Sequence, residues 1–405
     1  MDLQARLAAT AGRPAPCVAV DLAAFDHNCA ELLRRAGGKP VRLATKSVRV
    51  PGLVDRALAG GFASLMTYSL REALWWAARG APDVLVGYPS VDAGALAELV
   101  RDPRALAAVT VMVDDEDQLR LVRQAVAAEG GASTRVQVCL DVDASLRLGP
   151  GLPARRRAHL GVRRSPLRTP HDVAALAGRA QDGGGVHVRG LMFYEAQVAG
   201  LPDSSPAVRA VKRVSLAELG VRRRAVVAAV EERLGHPLAL VNGGGTGSLE
   251  ATAQDQAVTE LTAGSGLLAP TLFDGYRPGR GTTPLRPAAF IGLDVVRRPA
   301  PGVVTVFSGG FIASGPPGRA RSPRPVLPPG LHLSRSEGAG EVQTPLHGRA
   351  ADALSIGDRV WLRHAKAGEV MERFGEVLLV GGDQGAQEAA VEAVPTYRGL
   401  GLAFG

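Results

Sequence analysis

The sequence predicts an α/β protein, a (β/α)8 barrel followed by a small β domain, on three observations. Eight apolar, β-branched runs of strand length alternate with helical segments between residues 41 and 266, the pattern of a parallel sheet. Beyond about residue 285 that alternation stops and short strands follow one another between Gly and Pro turns, as in a small barrel or sandwich. A chain of 405 residues, 46% of them hydrophobic, is long for one domain and apolar enough to fill a large core.

Taken in order, CVAVDL (17–22) is a strand ahead of the barrel, expected to pack with the β domain, and Asp21 is placed to cap the helix behind it. The barrel strands are VRLATK (41–46), FASLMTY (62–68), DVLVGYP (83–89), AAVTVMVD (107–114), RVQVCLDVD (135–143), HVRGLMFYE (187–195), LALVNGGG (238–245) and AVTELTAGSG (257–266). This count fits a TIM barrel, whose active sites lie at the C-terminal strand ends, while strand order alone leaves a doubly wound open sheet as the alternative. AAFIGLDVV, GVVTVFSGG, GLHLS, EVQTPLHG, RVWLRH and EVLLVGG supply the β domain. Three segments follow: 1–35, 36–284 and 285–405. The Pro/Arg-rich stretch GPPGRARSPRPVLPPG (315–330) reads as a mobile surface insertion in preference to a recognition loop.

Composition narrows the setting. The 47 basic residues exceed the 39 acidic ones, giving a net charge of +8. The arginine runs Arg155 to Arg157, Arg163 with Arg164, and Arg222 to Arg224 are short and lack interleaved aromatic residues. They read as solvated surface, not as a nucleic-acid interface. Cys17, Cys29 and Cys139 form neither a disulfide framework nor a zinc pattern, which suits a reducing compartment. No secretory start or long apolar run is evident, so the expectation is a cytoplasmic protein without a membrane partner.

Only four basic residues are lysine: Lys39, Lys46, Lys212 and Lys366. Lys46 ends the first barrel strand, where a lysine either forms a Schiff base with a carbonyl cofactor or snorkels to the surface. After strand seven, Asn242-Gly243-Gly244-Gly245-Thr246-Gly247-Ser248 offers convergent N–H groups and hydroxyls, and Gly264-Ser265-Gly266 repeats the device after strand eight. Paired loops at these two places commonly hold phosphate. Arg147, beyond strand five, faces either an anionic ring oxygen or Asp141 and Asp143. Tyr194 and Glu195, at the end of strand six, offer a ring and a carboxylate, or else a structural pair.

An amine, a phosphate cradle and ring contacts are what pyridoxal 5'-phosphate requires. ATKS, the DVDASLRLG segment, GLMFYEAQ and GGGTGS, in this order, resemble the motifs of the alanine racemase type of pyridoxal phosphate enzyme, and the whole chain is similar to the D-threonine aldolase and D-serine dehydratase family. The resemblance implies Lys46 as the Schiff-base lysine, Arg147 and Tyr194 beside the cofactor ring, and Asn242, Gly244, Gly245, Thr246, Gly264 and Ser265 in the phosphate loops. It also implies a homodimer and a small amino-acid substrate.

That family holds a divalent metal through a histidine followed two positions later by Asp or Cys. RVWLRHAKAGE puts His364 and Lys366 at that spacing, and an ammonium cannot ligate. The expectation is that no tight divalent metal binds, and that Lys366 stands where the cation stood and moves protons with His364. Gln197 departs from the family's histidine after the Tyr-Glu pair. The implied activity is a lyase acting on a D-β-hydroxy-amino acid, by retro-aldol cleavage or by β-elimination. Alternatives are a racemase, for which the β domain's one tyrosine, Tyr397, is the second base, and a cofactor-binding protein without turnover.

Overall fold

The computed structural model describes residues 2–149, 158–277, 279, 282–381 and 389–405; Arg155 to Arg157 lie outside them. The chain forms two compact units. One contains Leu32–Thr45, Gly61–Gly264 and Phe404–Gly405, the other Met1–Glu31, Lys46–Gly60 and Ser265–Ala403. The units interleave, whereas the sequence suggested cuts near 35 and 284. The cause is local: Asn28 donates to the carbonyls of Leu267 and Arg286 at 2.9 and 2.7 Å. The N–H of Tyr397 likewise donates to the carbonyl of Arg49 at 3.1 Å.

Strand β1 (Cys17–Asp21) belongs to the second unit. The first is built on β2 (Val41–Ala44), β3 (Ser64–Thr67), β4 (Val84–Pro89), β5 (Val109–Val113) and β6 (Val136–Asp141), with β7 (Leu146–Leu148) and β8 (Ala158–Leu160) as a side hairpin, then β9 (Val186–Phe193), β10 (Leu240–Gly243) and β11 (Glu260–Ala263). The eight long-range strands close in the order β10-β11-β2-β3-β4-β5-β6-β9, all pairs parallel. Closure removes the open-sheet alternative. Leu85, Met112, Cys139, Met192 and Leu240 form one apolar cluster.

A charged network also crosses the lumen. Arg42 is fully buried and donates to Glu260 at 2.7 and 2.9 Å and to Asp83 at 2.8 and 3.2 Å. Arg189 reaches Asp83 at 2.7 and 3.0 Å and Thr110 at 2.9 Å, although β9 pairs with neither β4 nor β5. Burial raises the Asp83 pKa, but hydrogen bonds from Arg189 and Arg42 overcome it and hold the value down at about 2. Such a network specifies the packing only because each charge is paired.

The second unit adds β12 (Ala289–Ala300), β13 (Val303–Phe307), β14 (Arg324–Leu327), β15 (His332–Leu333), β16 (Gln343–His347), β17 (Arg359–Arg363), β18 (Glu376–Gly381) and β19 (Ala390–Pro395). They form a mostly antiparallel nine-stranded sheet, β15-β16-β13-β12-β1-β18-β19, with β17 pairing β12 and β14. As expected, β1 enters this sheet, antiparallel to β12 and parallel to β18. Its Cys17 and Ala19 pack with Phe290, Trp361, Leu378 and Val380. Asp21 caps the following helix, accepting from Ala23 and Ala24 at 3.1 and 3.4 Å.

One expectation is corrected here. The 315–330 stretch is not simply a surface insertion, because its second half forms β14 on the edge of β17. Pro325 is tolerated since an edge strand need not donate on both sides, while Val326 and Leu327 pack against the core. Among the described residues no helix is long and apolar enough to cross a membrane.

Candidate active site

In the barrel unit, the loop after β10 is shaped by glycine and held from below by Glu195. Gly244 has φ +90°, and a Cβ on Gly245 would stand 2.7 Å from that of Ala199, so neither position accepts a side chain without displacement. Glu195 is fully buried. Its carboxylate accepts from the Gly244 N–H at 3.2 Å, from Ser248 Oγ at 2.9 Å and from Thr252 Oγ1. Gly245 N–H donates to Ser248 Oγ at 3.1 Å. The two amides expected to face an anion are thus engaged within the loop, and Glu195 is its anchor. Thr246 and Gly264 are buried.

Other barrel candidates are distributed differently from expectation. Asn242 turns its amide to Glu260 at 2.7 Å and Thr262 at 2.8 Å, so its side chain serves the lumen network and not the loop. Arg147 donates to Asp143 at 2.6 Å and remains nearly half exposed. This realises the ion-pair alternative. Tyr194 carries the guanidinium of Arg164 over its ring at 5.5 Å, with Tyr88 on that same group at 5.4 Å.

Asp141, in the same recess, is pushed up to about 7 by burial and by Asp114, against the pull of Arg164. The 222–224 run is not uniformly solvated either. Arg223 is buried, pairs with Asp255 at 2.5 Å and approaches Glu195 at 4.0 Å. Gln197 is also buried and donates to Ala144 and Ser215 at 2.7 and 2.6 Å. It braces the chain where a titrating histidine was missing.

In the sheet unit, Lys46 sits in a 3-10 turn, Thr45–Ser47, directly after β2. Ser47 Oγ lies 3.0 Å from Ser265 Oγ. The HAKAGE turn packs on the same segment: a Cβ at Gly368 would stand 1.9 Å from the Lys46 carbonyl oxygen. Arg49 Nε donates to that oxygen at 3.1 Å, and its Nη1 to Glu372 at 2.7 Å.

A cavity of about 400 Å³ opens beside this cluster, lined by Arg49, Phe311, Ser314, His364, Lys366 and Glu369 among others. Lys366 Nζ donates to Ser314 Oγ at 2.7 Å and approaches Glu369 at 3.5 Å. Burial opposes ionisation of Glu369, but hydrogen bonds from Ser314 and the Lys366 charge hold its pKa below the usual range. His364 is 2% exposed, and its ring has the Ala289 backbone as a weak polar neighbour and no side-chain hydrogen bond. Burial and the Arg363 charge push it down to about 4, with the Ala289 backbone a weaker opposing influence. The ring is therefore neutral at pH 7.

Lys46, Ser265, His364 and Lys366 thus share one unit, while Arg147, Tyr194 and the glycine loop share the other. Arg49, Ser314 and Glu372 carried no recognisable motif. Lys39, donating to Asp255 and Val258 carbonyls, and Lys212, paired with Asp203 at 2.9 Å, serve the barrel.

Comparisons with known proteins bear on the fold and the family. A D-threonine aldolase from Arthrobacter sp is 29% identical over 299 residues, spanning 73% of this chain and 71% of the relative. Two solved structures share the fold over 95% of this chain: the D-threonine aldolase of Filomicrobium marinum, with 95% of its own chain covered, a TM-score of 0.77 and 22% identity, and the D-threo-3-hydroxyaspartate dehydratase of Delftia sp. HT23, with 98% covered, 0.68 and 19%. The model of the alanine racemase N-terminal domain matches residues 20–269. With more than half its length matched, the chain belongs to the alanine racemase N-terminal domain family.

Proposed function

We propose that the protein is a pyridoxal-phosphate-dependent lyase that cleaves D-β-hydroxy-amino acids between Cα and Cβ. The observation that carries the reading is His364, a buried, neutral imidazole in the wall of a cavity that also receives Lys366, in the unit that contains Lys46. The aldolase name of the Arthrobacter relative supports the same class.

The residues present fit the cofactor. The loop at Gly244 and Gly245 has a shape that added Cβ atoms would spoil, and Lys46 follows a barrel strand. Lys46 would hold pyridoxal phosphate by its amine, and Ser265, in the same unit, would meet its phosphate. When bound, the cofactor supplies an electron sink for charge developing at the substrate's α-carbon. His364 accepts the β-hydroxyl proton on a ring nitrogen, a role open to the neutral ring and closed to an imidazolium. Lys366 Nζ donates to the β-oxygen and orients it. Lys46 Nζ would move the proton at the substrate's α-carbon.

A divalent metal does not fit this cavity. Lys366 stands at the ligand spacing, and among the described residues no three His, Cys, Asp or Glu side chains gather as ligands. No step here passes through a metal. Lys366 Nζ can instead assist a departing hydroxide, which makes β-elimination the second reading. For a racemase the opposing base would be Tyr397, which is not among the residues lining this cavity.

A panel of D- and L-β-hydroxy-amino acids, assayed for aldehyde and for ammonia, separates these readings. Glycine with an aldehyde from D substrates is the expected outcome. Ammonia with a keto acid selects elimination, inversion without a carbonyl product selects the racemase, and no turnover despite bound cofactor selects a binding protein. Lys366→Met should abolish turnover and leave the cofactor's visible absorption intact; unchanged turnover removes Lys366 from the mechanism.

A further inference from the structure

Arg49 is one of three described non-glycine residues with positive φ, at 57°. An arginine gains nothing intrinsic from this conformation, and such strain persists only where its surroundings impose it. Those surroundings can be named. The Arg49 carbonyl accepts from the N–H of Tyr397 at 3.1 Å, and the Glu372 carboxylate takes its Nη1 at 2.7 Å. Its Nε donates at 3.1 Å to the carbonyl of Lys46, three residues earlier. On that same oxygen sits Gly368, whose own φ is +85° and which leaves no space for a Cβ.

From this we infer that Arg49 is a positioning residue, a strained clamp that fixes the backbone of Lys46 with Glu372 as its counterweight. The inference rests on the functional reading in which Lys46 holds the cofactor. A lysine side chain has several rotatable bonds, so fixing its backbone removes part of the ordering cost of presenting Nζ to a carbonyl. The clamp acts through Lys46 and touches no reacting atom.

Arg49→Gly separates the clamp from general stability, because glycine accepts the left-handed backbone while losing both side-chain bonds. Cofactor-free Arg49→Gly should melt no lower than the parent protein. Its dissociation constant for pyridoxal phosphate, read from the visible absorption on titration, should be weaker by roughly tenfold, the scale of one lost charge-assisted hydrogen bond. Glu372→Gln, which keeps an acceptor and loses the charge, should weaken it less. An unchanged constant in Arg49→Gly overturns the clamp. If that variant melts lower, Glu372→Gln decides, and a parental constant there overturns it too. Lys46→Ala tests the underlying reading separately: a visible band that survives this change removes Lys46 as the cofactor's lysine whatever Arg49 does.

Discussion

The barrel lumen and the cavity beside Lys46 treat buried polar groups in opposite ways. In the lumen, Arg42, Asp83, Arg189 and Glu260 pair with one another over hydrogen-bond distances. Beside Lys46, His364 is buried with only the Ala289 backbone as a weak polar neighbour, and Arg49 holds a strained backbone. Satisfied networks rigidify a scaffold, whereas weakly satisfied and strained groups persist where function requires them. The contrast suits a lumen that carries stability and a cavity that, in the proposed reading, carries chemistry.

The largest effect is expected in the lumen. Arg42→Met leaves the half-buried Asp83 and Glu260 without their shared partner, although Asp83 keeps Arg189, and should cost about 3 kcal/mol in denaturant unfolding. A loss within experimental scatter would mean that the network relaxes to water and is no scaffold.

Acid should resolve the two regions in sequence. The folded pKa of His364 lies below its ordinary 6.5, at about 4, so the unfolded chain binds the extra proton first and stability falls as pH drops between those values. Asp83 is depressed from 3.8 to about 2; its contribution is complete above about pH 4 and is lost below that, by roughly 2 kcal/mol. Stability measured against pH in the parent and in His364→Leu checks both, since the upper window should vanish in the variant and the lower one remain.

The smallest effect has the opposite sign. His364→Leu replaces a buried imidazole, held only weakly by the Ala289 backbone, with an apolar side chain and should raise stability at pH 7 by about 1 kcal/mol while eliminating aldehyde release. A destabilised variant would indicate that the ring is a structural filler.

Much of the fold was legible because buried parallel strands read as apolar runs, and all eight barrel runs became strands. Strand β14 was hidden by Arg324 and Pro325, residues that deplete ordinary strands yet suit an edge. Lys46, His364 and Lys366, on which the proposed reading rests, stood out as rare residue types in ordered motifs. Arg49 was not, because a left-handed arginine has no local signature. The anchoring role of Glu195 depends on Ser248 and Thr252, more than fifty residues away, and the burial of Arg223 on Asp255 and Glu195 is equally non-local.

Borohydride reduction of the cofactor-loaded protein, followed by peptide mapping, tests the assignment of the cavity to chemistry most directly. A pyridoxyl group fixed on Lys46 is the predicted result. A group on Lys39, Lys212 or Lys366, or on none of the four lysines, would contradict it.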